Sequence, residues 1–174
     1  MSVNIPEYID PVRFSDQNLT LEGDLSMANL PRLAGCANVL PSDQPIHVVL
    51  TFGKDQQGIV FVEGAVEATI HLQCQRCMDP FVYAIHSHFR LGVVNSLDEA
   101  GALPASYEPV LTVASRRLAL REAVEDELML KLPIIARHAL EECKVNASQM
   151  SSLNEQKEKK NPFQVLVSLK DRKQ

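Results

Sequence analysis

Two cysteines three residues apart, Cys74 and Cys77, stand in the run HLQCQRCMDPF over residues 71–81. Thiols at this spacing suit three kinds of chemistry. They can supply half of a zinc site, cycle as a redox pair, or sit as inert buried groups. A thioredoxin-type pair needs a helix opening at the second cysteine, whose dipole lowers the thiol pKa. Here Met78, Asp79 and Pro80 lead into strand-like alternation, so the redox reading is the least favoured of the three. A structural zinc site needs about four ligands, usually in two pairs. Cys143, in ARHALEECKV, and His138 five residues before it offer the second pair. The candidate site is therefore Cys74, Cys77, Cys143 and His138, with uncoordinated thiols near the core as the alternative. Four protein ligands leave no open position, so such a zinc is structural.

No other residues carry a recognisable reaction. There is no phosphate-binding glycine loop, no dinucleotide fingerprint and no Ser-His-Asp order. His47, His71, His86 and His88 fall in strand-like runs, where a surface imidazole beside a carboxylate is the ordinary reading. The chain is read as a non-enzyme.

The elements that position the cysteines are the clearest signal in the sequence. From Val60 to Leu72 the even positions are apolar or small, while Glu63, Glu67, Thr69, His71 and Gln73 occupy odd ones. After the cysteines the apolar residues move to odd positions: Phe81, Tyr83, Ile85, Phe89, Leu91 and Val93. A hairpin over about 60–93, closed by the two-residue loop Gln75-Arg76, places Ile70 opposite Phe81 and keeps every apolar pair on one face. In that register His86 faces Ala65 and His88 faces Glu63. Gln-Arg lacks the positive-φ residues that such loops favour. Either a metal bridging the thiolates holds the turn, or the loop is longer and bulged.

Around the hairpin, Leu19–Gly23 and Ile46–Phe52 read as strands, and Leu25–Gly35 as a short helix broken at Pro31. Residues 97–103 form a loop or short helix. Tyr107–Val113 reads as an edge strand that tolerates Pro109. Leu118–Leu132 is the best helix, with Leu120, Val124, Leu128 and Leu132 four apart and Pro133 as its stop. Its acidic trio Glu125, Asp126 and Glu127 is expected mostly on the solvated side. The fold class is α+β: a largely antiparallel sheet around the hairpin, the 118–132 helix packed on its apolar face, and a short C-terminal helix. Residues 1–145 form one domain and 146–160 a polar linker. In 161–174 Asn161 caps, Pro162 opens the helix and Phe163 begins an apolar docking stripe.

Composition bounds the setting. Of 174 residues, 45% are hydrophobic and only 5% aromatic, with no Trp, so Val, Leu, Ile and Ala must build the core. No signal peptide and no apolar run near the ~20 residues of a membrane span is visible. Four cysteines in a chain of this length do not make a disulfide framework. A cytoplasmic protein is expected. The net charge of −5 argues against broad phosphate binding. Basic residues gather at Arg116, Arg117 and Arg121 and in the tail at Lys157, Lys159, Lys160, Lys170, Arg172 and Lys173.

The runs IDPVRF, LQCQRCMDPF, LPASYEPV, VEDELMLKLPI, a later cysteine and NPFQVLVSLK occur in an order that resembles the YceD family. The resemblance covers about residues 58–170, with Asp10–Arg13 near the start, and does not include Cys36. It implies a factor supporting synthesis, processing or stability of large-subunit (23S) rRNA, without catalysis. Beyond the cysteines, the positions it marks are Tyr107, Glu108, Pro109, Glu125, Asp126, Glu127, Asn161, Pro162 and Phe163, which it implies serve folding and partner contact. The acidic charge then favours partners among large-subunit precursor particles or ribosome assembly proteins. The alternative is a zinc-stabilised domain that touches rRNA directly through its basic tail.

Overall fold

The computed structural model describes residues 5–112 and 116–145. The chain divides into two compact units, residues 1–137 and 138–174. The first is α+β. Its main sheet has the order β2-β3-β4-β5-β6, from Thr20–Leu25, Ile46–Lys54, Val60–Gln73, Pro80–Val94 and Glu108–Leu111. Strands β2 to β5 are antiparallel neighbours, and β6 runs parallel to β5. The sheet is therefore largely antiparallel with one parallel edge. That edge strand carries Pro109, where a missing N–H is tolerated.

Alternation decides which face is buried. Ile46, Val48, Leu50 and Phe52 of β3 turn to the same side as Val62, Val66, Ile70 and Leu72 of β4, and all are buried. Ile85, Phe89 and Leu91 of β5 extend this face. At its centre Gly64 lies opposite Phe89. A Cβ on Gly64 would come within 2.1 Å of the ring, so the glycine makes room for the aromatic side chain.

The register corrects the expectation. Ile70 pairs with Tyr83 instead of Phe81, and the last pair is Gln73 with Pro80. A slip of two residues keeps each side chain on its face, which is why the pattern alone did not choose between the two registers. His86 accordingly faces Glu67, and His88 faces Ala65.

Helices and turns cover the buried face. In α1, Pro11–Asp16, the Asp10 carboxylate accepts the N–H groups of Val12 and Arg13, both at 3.1 Å, and Pro11 takes the first helical position. Phe14 from this helix packs edge-on against Phe52. A 3₁₀ turn, Met27–Asn29, and α2, Pro31–Ala34, follow β2 and are separated at Pro31 as expected. They bury Met27, Leu30 and Leu33. Helix α3 is Leu97–Ala102. Helix α4, Leu120–Lys131, buries Leu120, Val124 and Leu128 in the same core. It ends because Leu132, held before Pro133, takes an extended conformation with ψ of 141°. Residues Leu118–Ala119, expected as the first turn of the helix, instead form β7 and pair with β1, Tyr8–Ile9. The Leu120 N–H donates to the Glu7 carbonyl and Arg121 Nε to that of Ile5, both at 2.9 Å. The N-terminal segment is thereby tied to the base of α4.

In the second unit, residues 138–145 contain a turn in which Cys143 N–H donates to the Leu140 carbonyl at 3.3 Å. The linker expected over 146–160 and the C-terminal helix expected over 161–174, with Asn161, Pro162 and Phe163, lie outside the described residues.

Candidate metal centre and acidic groove

The loop between β4 and β5 is six residues long, Cys74–Asp79, instead of two. Its backbone closes on itself. Cys74 N–H donates to the Asp79 carbonyl at 2.9 Å, and Met78 N–H donates to that of Cys74 at 2.8 Å. Met78 supplies the positive φ, +64°, that Gln75 and Arg76 were not suited to give. Gln75 N–H donates to the Ala136 carbonyl at 2.8 Å, fixing the loop to the segment after α4. No helix opens at Cys77, because Met78 is left-handed and β5 begins at Pro80. The helix that a thioredoxin-type pair requires is not formed here.

None of the four cysteines is in a disulfide. The ligand atoms of Cys74, Cys77, His138 and Cys143 lie within 4.8 Å of one another. Cys74 and Cys143 are buried, Cys77 and His138 half-buried. A tetrahedral zinc with ~2.3 Å bonds to sulfur sets its ligand atoms about 3.5–3.8 Å apart. The separations exceed that spacing by at most about 1.3 Å, and the soft donor set suits the ion. This three-cysteine, one-histidine cluster could hold a metal. Cys36 stands apart, with its thiol donating to the Arg32 carbonyl at 3.4 Å.

The acidic trio of α4 departs from expectation. Only Asp126 faces solvent; Glu125 is 2% exposed and Glu127 7%. A three-residue run spans most of a helical turn, so its members point three ways. Glu125 points at the start of α2. Its Oε1 accepts the backbone N–H groups of Arg32, at 2.7 Å, and Leu33, at 3.0 Å, while Oε2 accepts Arg32 Nε at 2.9 Å. The carboxylate thus satisfies orphan donors of α2 that no capping side chain of Leu30 could reach. Asp126 accepts from another guanidinium nitrogen of Arg32 at 2.7 Å. Arg32 drew no attention in the sequence, because its partners lie more than 90 residues away.

Glu127 points towards β6. It lines a groove of about 520 Å³ with Glu108, Pro109, Val110, Met129 and Leu130. Burial, and then the charge of Glu108 beside it, raise the Glu127 carboxyl above its ordinary value, against a smaller opposing pull from Lys131. The structure therefore gathers Glu108, Pro109, Asp126 and Glu127 in one groove and commits Glu125 to the interior.

Tyr107 points elsewhere. Its hydroxyl donates to Asp55 at 2.9 Å, and the Arg90 guanidinium lies over the rings of both Tyr107 and Phe61. Asp55 also accepts the N–H groups of Gln57 and Ile59. Burial pushes the Asp55 carboxyl up, but these hydrogen bonds and Arg90 outweigh it and hold the group below its usual range. Burial and the bond to Asp55 raise the Tyr107 phenol. Sequence reading missed this cluster. The available signal was an Asp three residues before the positive-φ Gly58, the mark of a side-chain-closed turn.

Fold and site together define a small α+β protein with a cysteine-rich cluster at one hairpin loop and an acidic groove beside its edge strand. The family model described as large ribosomal RNA subunit accumulation protein YceD matches residues 62–170. A Haemophilus influenzae protein of that same name is 36% identical over 174 residues, covering 98% of this chain and 98% of its own. The chain belongs to the YceD family. No solved structure matches it.

Proposed function

We propose that this protein supports the accumulation of large-subunit rRNA as a non-catalytic cytoplasmic factor, through contacts with ribosomal or assembly proteins. The observation that carries the reading is the near full-length relationship to a large ribosomal RNA subunit accumulation protein. The net charge of −5 and the carboxylates of the groove favour basic protein partners over naked RNA. No helix among the described residues is long and apolar enough to cross a membrane. A zinc ion held by Cys74, Cys77, His138 and Cys143 would act structurally, pinning the hairpin loop, with no position left for substrate. Residues 1–145 act as one domain, and the segment from Asn161, Pro162 and Phe163 onward serves partner docking.

Deletion of the gene should lower the ratio of large- to small-subunit rRNA, and crosslinked pull-downs should recover large-subunit precursor particles. Normal rRNA ratios and ribosome profiles in the deletion strain would end this reading. Direct rRNA contact through the basic tail predicts instead tight binding of naked rRNA that weakens steeply with salt and is lost on removal of residues 161–174.

A further inference from the structure

The groove between β6 and α4 has the features of a peptide-docking site. It is mainly apolar, lined by Leu91, Pro109, Val110, Ala123 and Met129. It adjoins a second hollow of about 270 Å³ that shares Pro109, Val110, Ala123 and Asp126 and adds Glu122. At its rim Leu130 is 73% exposed, a large apolar side chain left in water beside an open cavity. Its buried carboxylate, Glu127, has Glu108 as neighbour, and among the described residues neither forms an ion pair with lysine or arginine. The nearest guanidinium on α2, Arg32, is already engaged by Glu125 and Asp126. Two carboxylates at the wall of an apolar groove are costly as like charges unless they share a proton or a cation joins them, and Lys131, one turn along α4 from Glu127, offsets this only in part. Phosphate would meet repulsion from the same carboxylates.

We propose that this groove binds a basic peptide segment with an apolar anchor, from a ribosomal or assembly protein. Glu108 and Glu127 receive a lysine or arginine of the segment, and Met129 and Leu130 pack on its apolar residue. The assignment rests on the ribosomal reading for the source of the peptide, and on the groove alone for its chemistry.

The test compares full-length wild type with Glu108→Gln/Glu127→Gln, with Leu130→Asp, and with Glu22→Gln/Glu67→Gln. The last pair changes charge equally on exposed residues of the sheet. The first probe is a labelled peptide of about a dozen residues mixing lysine, arginine and leucine, read by fluorescence anisotropy at physiological salt. Affinity should fall about five-fold or more in the groove variants and stay within about two-fold in the control. Because Leu130 is exposed, its variant keeps the fold even if the double carboxamide does not. The second readout is recovery of large-subunit precursor particles in crosslinked pull-downs, which should fall in the groove variants. Equal peptide affinity in all four proteins overturns the groove assignment. So does equal particle recovery by wild type and groove variants, with the ribosomal reading left intact. If wild type recovers no particles, the ribosomal reading fails, and peptide affinity still decides the chemistry of the groove.

Discussion

Glu125 of α4 accepts both the backbone N–H and the Nε–H of Arg32, at 2.7 and 2.9 Å, and so caps α2 from the far end of the chain. The carboxylate is almost fully buried, whereas the arginine side chain is 47% exposed. The two ends of the bond therefore differ in what their loss costs.

Glu125→Ala should destabilise the protein by about 2–4 kcal/mol, because it strands the Arg32 and Leu33 N–H groups as well as removing the ion pair. Glu125→Gln retains one acceptor and should cost less. Asp126→Asn, at the exposed end of the same guanidinium, should cost under about 1 kcal/mol. Urea unfolding of the three variants checks the order. Equal losses would show that Asp126 and Glu125 do the same job.

Glu127 sets the sign of a pH effect. Its carboxyl is raised in the folded state, so the folded protein binds a proton more tightly than the unfolded chain. In the interval above the ordinary carboxylate value the folded state holds more protons, and stability from this group falls as pH rises. Glu127→Gln should flatten that part of the stability profile and leave the melting temperature at pH 7 equal or higher. Thermal melts of both proteins across pH 4 to 7 give the comparison. A lower melting temperature for the variant at pH 7 would mean that the charge is well accommodated.

The metal cluster predicts linked losses. Protein purified without chelator or histidine tag should contain about one zinc per chain. Cys74→Ser should lose metal and melting temperature together, and Cys36→Ser should lose neither. A strong chelator should lower the melting temperature of the wild type only. Metal-free protein with full stability would return the four residues to ordinary thiols and an ordinary imidazole.

Gly64 and Phe89 make a cross-strand pair that tolerates no Cβ. Gly64→Ala should destabilise by about 1–3 kcal/mol, since the one residue of backbone freedom it removes from the unfolded chain is worth less than the displacement of a buried ring. Gly101→Ala is the control. Nothing lies within 4 Å of its added Cβ and it sits in α3, so it should be neutral or stabilising. Denaturant midpoints of the two variants should move in opposite directions or differ widely.

The sequence by itself determined the faces and the kind of each main element. Period-2 alternation over Val60–Gln73 marked the buried side of β4, and the four-residue spacing of Leu120, Val124 and Leu128 marked that of α4, because these periods belong to local geometry. The candidate ligand set was legible too, since thiols and imidazoles are donors that suit zinc, and the fold brings Cys74, Cys77, His138 and Cys143 within 4.8 Å of one another. Tertiary structure decided whatever depends on distance. It chose between two registers with the same faces, through a six-residue loop whose bend falls at Met78. It gave three consecutive acids three fates: Glu125 inward to Arg32, Asp126 outward, Glu127 into the groove beside Glu108. No local pattern encodes those partners. A carboxylate's role follows from what the fold sets against it, and here those residues come from α2 and β6.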